Sequence, residues 1–400
     1  MRKKMLRRIF FLLCIAAVAA GCAGPAVETR PAALEEVPRG DWPRFTDDMA
    51  YDGLVHAIRQ SCSYLERLDP EKQFFFGKDA YTVSHVIRSL ITFERFIRNR
   101  PSAPVLNRFI KSRFRLYRSV GAKGDGNVLF TGYYEPILEG RLEKDPPFIY
   151  PLYARPPDLA TIDLGRFNDA WKGQTLVGRC ENQAVVPYYD RKAIDVEKRL
   201  EGKATPLVYL KDPVDAFFLQ IQGSGKIYVN GDRSLNVHYH ISNGRPYRSI
   251  GKLLIEKNRI DPSRMSMQRI RAYLEAHPEE ISEIFNYNPS YVFFKLEEEG
   301  PKGALDVVLT PGRSIALDRR LFPPAALTFI ETQKPVVDAE KQIRKWIRFG
   351  RFAIHQDTGG AIGGPGRADL FWGNGPYAEI AAGHMQHPGR LYFLVLKPDA

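Results

Sequence analysis

A glycine-rich stretch near the C-terminus, residues 357–373, constrains the fold of this chain more than any other segment. Its sequence is DTGGAIGGPGRADLFWG, so that five glycines and one proline lie between Asp357 and Asp369. The segments 351–356 and 391–396 predict strands before and after it. Because glycine tolerates backbone conformations that side chains forbid, the loop can bring the two aspartates together at the rim of a sheet. Such a pair suits proton transfer near neutral pH when apolar neighbours raise the pKa of one acid.

Other interpretations of this stretch have to be weighed. Taken alone, a loop of glycine and aspartate between strands is an ordinary turn. The Asp-Thr-Gly triplet at 357–359 imitates the aspartic-protease signature, but that chemistry needs two such triplets and the chain has one. The pattern does not favour a phosphate-binding loop, because no lysine follows the glycines before a helix. Phe371 and Trp372 are the apolar neighbours available to the pair, and Trp372 could also stack on a sugar ring.

Four further motifs lie upstream of the glycine-rich stretch. They are FTGYYEP at 130–136, FLQIQGSG at 218–225, NGRPYRSIG at 243–251 and NPSYVFF at 288–294. In this order, and followed by the C-terminal stretch, they resemble the membrane-bound lytic murein transglycosylase A family, whose members end in a three-aspartate domain. The resemblance extends over residues 125–400. Each motif alone is moderately specific, and it is their shared order that identifies the family.

The resemblance implies a mainly β fold with N-terminal helices. It places a double-psi β-barrel catalytic domain at 42–134 and 300–400, with a second β-barrel domain inserted at 135–299 and the substrate groove between the two. The sequence pattern by itself would suggest two consecutive domains. The discontinuous arrangement is therefore an implication of the resemblance.

Hydrophobic periodicity predicts the individual elements, with helices first and mainly strands after the Gly-Asp-Gly sequence at 124–126. The predicted helices are 54–65, 86–97, 106–116, 247–256 and 266–276. The predicted strands between the first and last motifs are 128–135, 148–150, 207–210, 217–222, 227–229, 236–241, 291–295, 304–309, 314–317 and 327–331. Short strands separated by proline-rich turns suggest a small antiparallel barrel.

The N-terminus predicts a lipoprotein. Residues 1–21 combine a basic start with a short apolar run, which is typical of a secretory signal and too short to span a bilayer as a mature helix. The sequence before Cys22 resembles a bacterial lipobox, which would leave Cys22 as a lipidated N-terminus, and Ala23 resembles the sorting pattern of outer-membrane lipoproteins. Residues 22–41, rich in proline and charge, predict a flexible tether to the periplasmic face of the outer membrane.

The charge of the chain bears on its partners. The formal net charge is +12, and five of these positive charges lie in residues 1–21, which leaves +7 from Cys22 onward. A moderate surplus favours acidic partners such as peptidoglycan stem carboxylates or lipid headgroups. No basic stripe or known module predicts nucleic-acid binding. Murein synthases are possible protein partners. A disulfide between Cys62 and Cys180 also stays open, because the spacing of two cysteines cannot fix their connectivity.

The resemblance also implies a mechanism. In a lytic transglycosylase the C6 hydroxyl of N-acetylmuramic acid attacks C1 of the same sugar, so one carboxyl serves first as acid and then as base, and no cofactor is needed. The matching residue is Asp369, with Asp357 assisting nearby. The third family aspartate matches Asp318, for which a salt bridge or turn cap is the alternative role.

Glycan contacts are predicted on both sides of the groove. The predicted substrate-binding residues are Tyr133, Tyr134, Glu135, Gln222, Gly223, Ser224, Asn243, Gly359, Gly360 and Trp372. Because neighbours on a strand point to opposite faces, at most one of the two tyrosines can face the groove. His238 and His240 would share a strand face, but without a third ligand at a convincing spacing no metal site is predicted.

Two other functions stay open at this point. A hydrolytic muramidase could use Asp369 and Asp357 as two carboxylates. A peptidoglycan-binding scaffold lipoprotein would use the groove without catalysis. The sequence decides neither the preference for chain ends or interiors nor the oligomeric state.

Overall fold

The computed structural model describes residues 33–231, 233–360 and 362–398. The predicted signal peptide, the lipidation site at Cys22 and the first part of the tether lie outside these residues. The strands are β1 Leu34–Glu36, β2 Gln73–Phe76, β3 Asp79–Thr82, β4 Phe114–Ser119, β5 Val128–Glu135, β6 Ile137–Arg141, β7 Tyr150–Tyr153, β8 Ala160–Asp163, β9 Thr175–Glu181, β10 Ala184–Pro187, β11 Pro206–Leu210, β12 Ser224–Val229, β13 Arg233–Ser242, β14 Val292–Glu297, β15 Ser314–Ala316, β16 Leu327–Val337, β17 Ile343–Asp357, β18 Arg367–Asn374 and β19 Gln386–Leu396.

Helices connect and cover these strands. The α-helices are α1 Leu54–Leu65, α2 Val83–Ile97, α3 Ala103–Arg113, α4 Arg191–Asp195, α5 Pro213–Gln222, α6 Ile250–Glu256, α7 Met267–Ala276, α8 Ile281–Asn286 and α9 Pro376–His384. Short 3-10 turns occur at Arg39–Asp41, Leu164–Arg166, Asp169–Trp171, Pro262–Arg264 and Pro278–Glu280. None of the helices in the described part of the chain is long and apolar enough to cross a membrane.

The largest sheet closes on itself. Its strands follow the order β1-β4-β19-β16-β17-β15-β18-β5, and β5 also pairs with β19. This second pairing joins β5, β19, β16, β17, β15 and β18 into a ring, with β4 and β1 attached outside β19. Closure pairs the edge strands of the ring and leaves an interior that apolar side chains fill.

A second sheet is nearly closed. Its order is β14-β13-β12-β6-β11-β7, and an isolated bridge between Ala154 and Phe294 links its two ends. A three-stranded sheet, β10-β9-β8, and the hairpin β2–β3 complete the β-structure in the described residues. The prediction of a mainly β fold with barrels is confirmed, whereas the double-psi crossing and the domain boundaries stay predictions.

The N-terminal part differs from the prediction in two places. The third helix ends at Arg113 instead of 116, because Phe114 and Leu116 alternate inward on β4 and pair with β19. The tether prediction for 22–41 is wrong from Leu34 onward, since β1 pairs with β4 and Leu34 is buried. An apolar residue that can be removed from water favours order over a solvated linker.

Two predicted strands are also wrong. Residues 217–222 form the second half of helix α5, where Asp212 accepts a hydrogen bond from the amide of Val214 and Gly223 ends the helix at φ 84°. A continuous apolar run does not distinguish a buried strand from a buried helix. The capping residues Asp212 and Gly223 are what identify this segment as a helix. Residues 304–307 form a turn and a bend, and Val308 makes only an isolated bridge with Lys302, so the predicted strand at 304–309 is absent.

Helix α9, which the sequence pattern did not reveal, packs on β5 and β18. The side-chain amide of Gln268, on α7, donates to the backbone carbonyl of Glu379, on α9, at 3.0 Å. Helix α7 belongs to the chain between β6 and β14, so this contact joins the two barrel-like sheets beside the strands that carry the aspartates. Within the described ranges, Cys62 and Cys180 are both free thiols, Cys62 buried and Cys180 exposed.

Candidate active site

Asp357 and Asp369 lie on either side of one short strand. Asp357 ends β17, which runs parallel to β15, and Asp369 lies on β18, which runs antiparallel to β15. Both aspartates are in register with the same residue, Ala316. The glycine-rich loop between β17 and β18 therefore returns the chain to the same end of the barrel and places the two acids two strands apart.

Asp357 is held by three hydrogen-bond donors. The amides of Ala304 and Thr358 donate to Oδ1 at 2.9 and 2.8 Å, and the hydroxyl of Tyr133 donates to Oδ2 at 2.8 Å. The net pKa of Asp357 is raised to about 6, because burial, helped by the charge of Asp369, raises the pKa more than the three donors lower it. Donors of this kind favour an ionised carboxylate, so Asp357 is a charged acceptor above pH of about 6.

Asp369 has a different environment. The hydroxyl of Thr131 donates to its Oδ1, and Nε of Arg367 lies 3.5 Å from the same oxygen. Burial raises the pKa of Asp369, and the neighbouring Arg367 lowers it. The side chain still keeps 18% of its surface exposed, so a substrate oxygen can approach it. A raised pKa in an accessible carboxyl is the property that a general acid needs.

The two tyrosines point to opposite faces of β5. The ring of Tyr133 lies 5.2 Å from that of Phe371, on the face that carries both aspartates. Tyr134 is 5% exposed and packs in the core, which leaves it no surface for a glycan. Of the pair, Tyr133 reaches the acids, and the substrate contact predicted for Tyr134 is wrong.

The glycine-rich loop is fixed by Asp318. Its Oδ2 accepts a hydrogen bond from the amide of Gly364 at 3.0 Å, and its two oxygens bind the guanidinium of Arg320 at 2.9 and 2.7 Å. The side-chain bonds to Arg320 lower the pKa of Asp318 to about 2. Gly359 and Gly360 are exposed in the same loop. Asp318 is therefore a structural carboxylate, which is the alternative that the sequence left open.

Two predicted substrate contacts are buried in structural roles. Trp372 follows Phe371 on β18 and so points to the opposite face, where its ring packs between Phe349 and Tyr377. It is 8% exposed and cannot stack on a sugar. Sequence reasoning missed that adjacent strand residues cannot both face the site.

Asn243 is likewise fully buried. Its side-chain oxygen accepts from the amides of Arg245 and Tyr291, and its side-chain nitrogen donates to the carbonyls of Tyr189 and Pro289. With two bonds at each end, the amide has no capacity left for a glycan. Its predicted substrate contact is wrong, and the residue braces three loops.

The remaining predicted groove residues lie where β5 meets helix α5. Oε1 of Gln222 accepts from the amide of Tyr134 at 3.1 Å, Gln222 and Gly223 are half-buried, and Ser224 is buried. Glu135 is 4% exposed and accepts a hydrogen bond from Asn374 at 2.9 Å. Burial raises the pKa of Glu135. The structure thus brings these residues to one junction, and their contact with substrate stays a prediction.

The prediction that His238 and His240 share a strand face is wrong. A register shift between Tyr239 and Ile241 interrupts the alternation of β13, so that His238 is buried and His240 exposed. Nε2 of His238 accepts a hydrogen bond from the amide of Lys302 at 2.6 Å. Among the residues that the structure describes, no group of three or more histidines, cysteines or acids could hold a metal ion.

Sequence reasoning missed two residues of the site, Thr131 and Arg367. Both contact Asp369, and Nη2 of Arg367 also donates to the hydroxyl of Thr131 at 3.2 Å. The spacing offered a signal, since Thr131 precedes Tyr133 by two positions and Arg367 precedes Asp369 by two. Residues two apart on a strand share a face.

A closed β-sheet that holds two acids in hydrogen-bonded, partly buried positions is typical of an enzyme of acid–base type. Comparison with known proteins agrees with this class. The family model described as the MltA specific insert domain matches residues 129–295, and the model described as the 3D domain matches residues 313–395. Membrane-bound lytic murein transglycosylase A of Escherichia coli strain K12 is 34% identical over 283 residues, which are 70% of this chain and 69% of that protein.

The chain belongs to the membrane-bound lytic murein transglycosylase A family of enzymes. Solved structures agree. A membrane-bound lytic murein transglycosylase from Agrobacterium tumefaciens superposes with a TM-score of 0.73 at 29% identity and covers 91% of this chain and 98% of its own. E. coli MltA with bound chitohexaose gives a TM-score of 0.68 at 28% identity and covers 92% of this chain and 96% of its own.

Proposed function

We propose that this protein is a lytic transglycosylase that cleaves the β-1,4 bond between N-acetylmuramic acid and N-acetylglucosamine in peptidoglycan. The single observation that supports this best is the unlike setting of its two acids. Asp357 receives three donors, which suit an ionised carboxylate, whereas Asp369 is buried beside a hydroxyl and one cation and keeps an accessible edge. The donors around Asp357 favour its ionised form, while the accessible edge of Asp369 leaves that carboxyl free to exchange a proton with a substrate oxygen.

The reaction then proceeds through one carboxyl. The protonated Asp369 donates its proton to the glycosidic oxygen, and the bond from that oxygen to C1 of N-acetylmuramic acid breaks. The C6 hydroxyl of the same sugar forms a new bond to C1, and its proton passes to the carboxylate of Asp369. The products are a 1,6-anhydromuramoyl end and a free N-acetylglucosamine hydroxyl. Asp369 regains its proton, so no water is consumed.

Asp357 and Tyr133 support this cycle electrostatically. The negative charge of Asp357 disfavours a second charge on Asp369 and so helps to keep that carboxyl protonated before the reaction. Tyr133 fixes the position of Asp357 through its hydrogen bond of 2.8 Å. The adjoining ring of Phe371 is 1% exposed and adds to the burial that raises the pKa of Asp369.

The wider setting follows the relatives. We propose a catalytic barrel domain of 42–134 and 300–400 with an inserted domain at 135–299, and a glycan groove between them. The insert-domain match at 129–295 and the separate sheet built from β6 to β14 support this division. The chitohexaose complex of the E. coli relative supports a glycan-strand partner. The names of the curated relatives support membrane association, for which we propose a lipid on Cys22 in the outer membrane.

The test is product analysis with an isosteric variant. Purified murein sacculi are digested with the wild-type protein and with Asp369→Asn, and the released muropeptides are separated. Anhydromuropeptides from the wild type, reduced roughly 10²-fold or more in the variant, support the proposal. Reducing ends from the wild type indicate a two-carboxylate muramidase, and binding without release indicates a scaffold protein. Membrane fractionation of Cys22→Ser tests the anchor, since continued membrane retention would contradict it.

A further inference from the structure

Arg367 forms a compact network with the reacting carboxyl. It lies two positions before Asp369 on β18, and its Nη2 donates to the hydroxyl of Thr131 at 3.2 Å. That hydroxyl in turn donates to Oδ1 of Asp369, and Nε of Arg367 lies 3.5 Å from the same oxygen. The guanidinium of Arg367 and the hydroxyl of Thr131 therefore both lie next to Oδ1 of Asp369.

The Nε–H group of Arg367 is a hydrogen-bond donor without an acceptor among the described residues. It is shielded from solvent. A buried donor without a partner destabilises the structure around it. The nearby acceptor is Oδ1 of Asp369, and a shift of about 0.5 Å would bring it to the length of a charge-assisted hydrogen bond. This hydrogen bond is strongest when the carboxyl of Asp369 is ionised.

The proposed reaction ionises Asp369 once in each cycle, after it has protonated the leaving oxygen and before it accepts the C6 proton. We propose that Arg367 is a positioning residue that stabilises the ionised carboxylate of Asp369 between these two proton transfers. The inference rests on the proposed function. Arg367 acts through Asp369 and Thr131 and does not itself exchange a proton.

The electrostatics of the site agree with this role. Burial raises the pKa of Asp369, which suits the first step, while Arg367 lowers it, which suits the second. The carboxylate of Asp357 also faces Asp369, and a negative charge on either acid opposes ionisation of the other. The phenols of Tyr133 and Tyr247 face the same carboxyl, and burial together with the charge of Asp369 raises the pKa of both. Removal of the cation would raise the pKa of Asp369 further. The acid form would then persist to higher pH, but the ionised form would be less stable and the turnover slower.

Arg367→Met and Arg367→Lys test this inference. The rate of anhydromuropeptide release is measured against pH at saturating murein, and KM is measured beside kcat. For Arg367→Met we expect kcat to fall roughly tenfold to a hundredfold, with KM unchanged. The basic limb of its pH profile should move up by about one pH unit. Arg367→Lys keeps the charge, so its basic limb should stay near that of the wild type. Arg348→Met, at an exposed position on β17, is the control and should behave like the wild type.

The possible outcomes distinguish a failure of this inference from a failure of the proposed function. An active wild type with an unmoved basic limb in Arg367→Met overturns the inference alone and leaves Arg367 a purely structural role. A rise in KM with kcat unchanged also overturns it, because Arg367 would then bind substrate. If Arg367→Met does not fold, Arg367→Lys provides the test by itself. Because lysine keeps the positive charge, an upward shift of the basic limb in Arg367→Lys would overturn the inference. A wild type that releases no anhydro product overturns the proposed function and this inference together.

Discussion

Tyr133 donates a hydrogen bond of 2.8 Å to Asp357 although their strands, β5 and β17, are separated in the sheet by β15 and β18. The ring lies beside Phe371 of β18, at 5.2 Å between centroids. Burial, and then the charges of both aspartates, raise the pKa of the phenol. Tyr133 therefore holds Asp357 by a hydrogen bond and interacts electrostatically with both acids. The site depends on this hydrogen bond as well as on the glycine-rich loop.

Removal of the phenol should move the pH dependence of the enzyme. Tyr133→Phe takes away one of three donors to Asp357, so the pKa of Asp357 should rise above its value of about 6. If activity requires ionised Asp357, the acidic limb moves to higher pH and kcat at neutral pH falls roughly tenfold. A pH profile of anhydromuropeptide release measures this. Tyr228→Phe, at an exposed tyrosine of the second sheet, is the matched control.

Neutralising Asp357 should act on the opposite limb. Asp357→Asn removes a negative charge near Asp369, so the pKa of Asp369 should fall. The protonated form needed for the first step is then lost at lower pH, and the basic limb moves down. The acidic limb near pH 6 should disappear in the same variant. We expect a smaller loss of kcat than for Asp369→Asn. An equal loss in the two variants would favour a two-carboxylate mechanism.

Local sequence patterns predicted a large part of this architecture. Segments 351–356 and 391–396 are strands, and the glycine-rich loop after the first of them brings Asp357 and Asp369 to one end of a barrel. These features were predictable because strand alternation and glycine turns are local properties. The same alternation along β18 also predicts that Trp372 points away from Asp369 and that Arg367 lies on the same face as Asp369.

Other features depend on contacts that are distant in sequence. The parallel pairing of β5 with β18 sets Thr131 against Asp369 across 238 positions, and no local pattern encodes it. The burial of Asn243 likewise depends on backbone groups from two other loops. Residues 217–222 are helical although a strand was predicted there, because a short run rich in apolar residues fits both kinds of buried element. Tertiary environment decides such segments.

Gly132 should be intolerant of a side chain because helix α9 and Trp372 lie against it. A Cβ at this position would lie 2.6 Å from Nε1 of Trp372 and 2.9 Å from the backbone Cα of Ala382. Gly132→Ala should therefore lower the free energy of unfolding by about 1–3 kcal/mol, through overpacking. Urea unfolding measures this change. Gly40→Ala has open space around its Cβ and should be nearly neutral, so equal effects in both variants would contradict the steric explanation.

Asp318 should contribute stability that depends on pH. The pKa of its carboxyl is about 2 in the folded chain, against an ordinary value of about 3.9 in an unfolded one. A group with a lowered folded pKa stabilises the fold above the unfolded value, and this stability is lost as the pH falls through the folded value. Asp318→Asn should therefore lower the free energy of unfolding by about 1–3 kcal/mol at pH 7. The difference from the wild type should shrink between pH of about 4 and 2.

Urea unfolding of both proteins across this pH range checks the prediction, with Asp306→Asn as the matched control. Asp306 is 62% exposed and its nearest cationic atoms lie 3.7 and 3.8 Å away, so its removal should change the free energy of unfolding by less than about 1 kcal/mol at any pH. Because Asp318 also binds the amide of Gly364, its variant should loosen the loop that carries Gly359 and Gly360. Hydrogen exchange of residues 358–366 should then be faster in Asp318→Asn than in Asp306→Asn. Unchanged exchange in that loop would show that Asp318 stabilises only its own turn with Arg320.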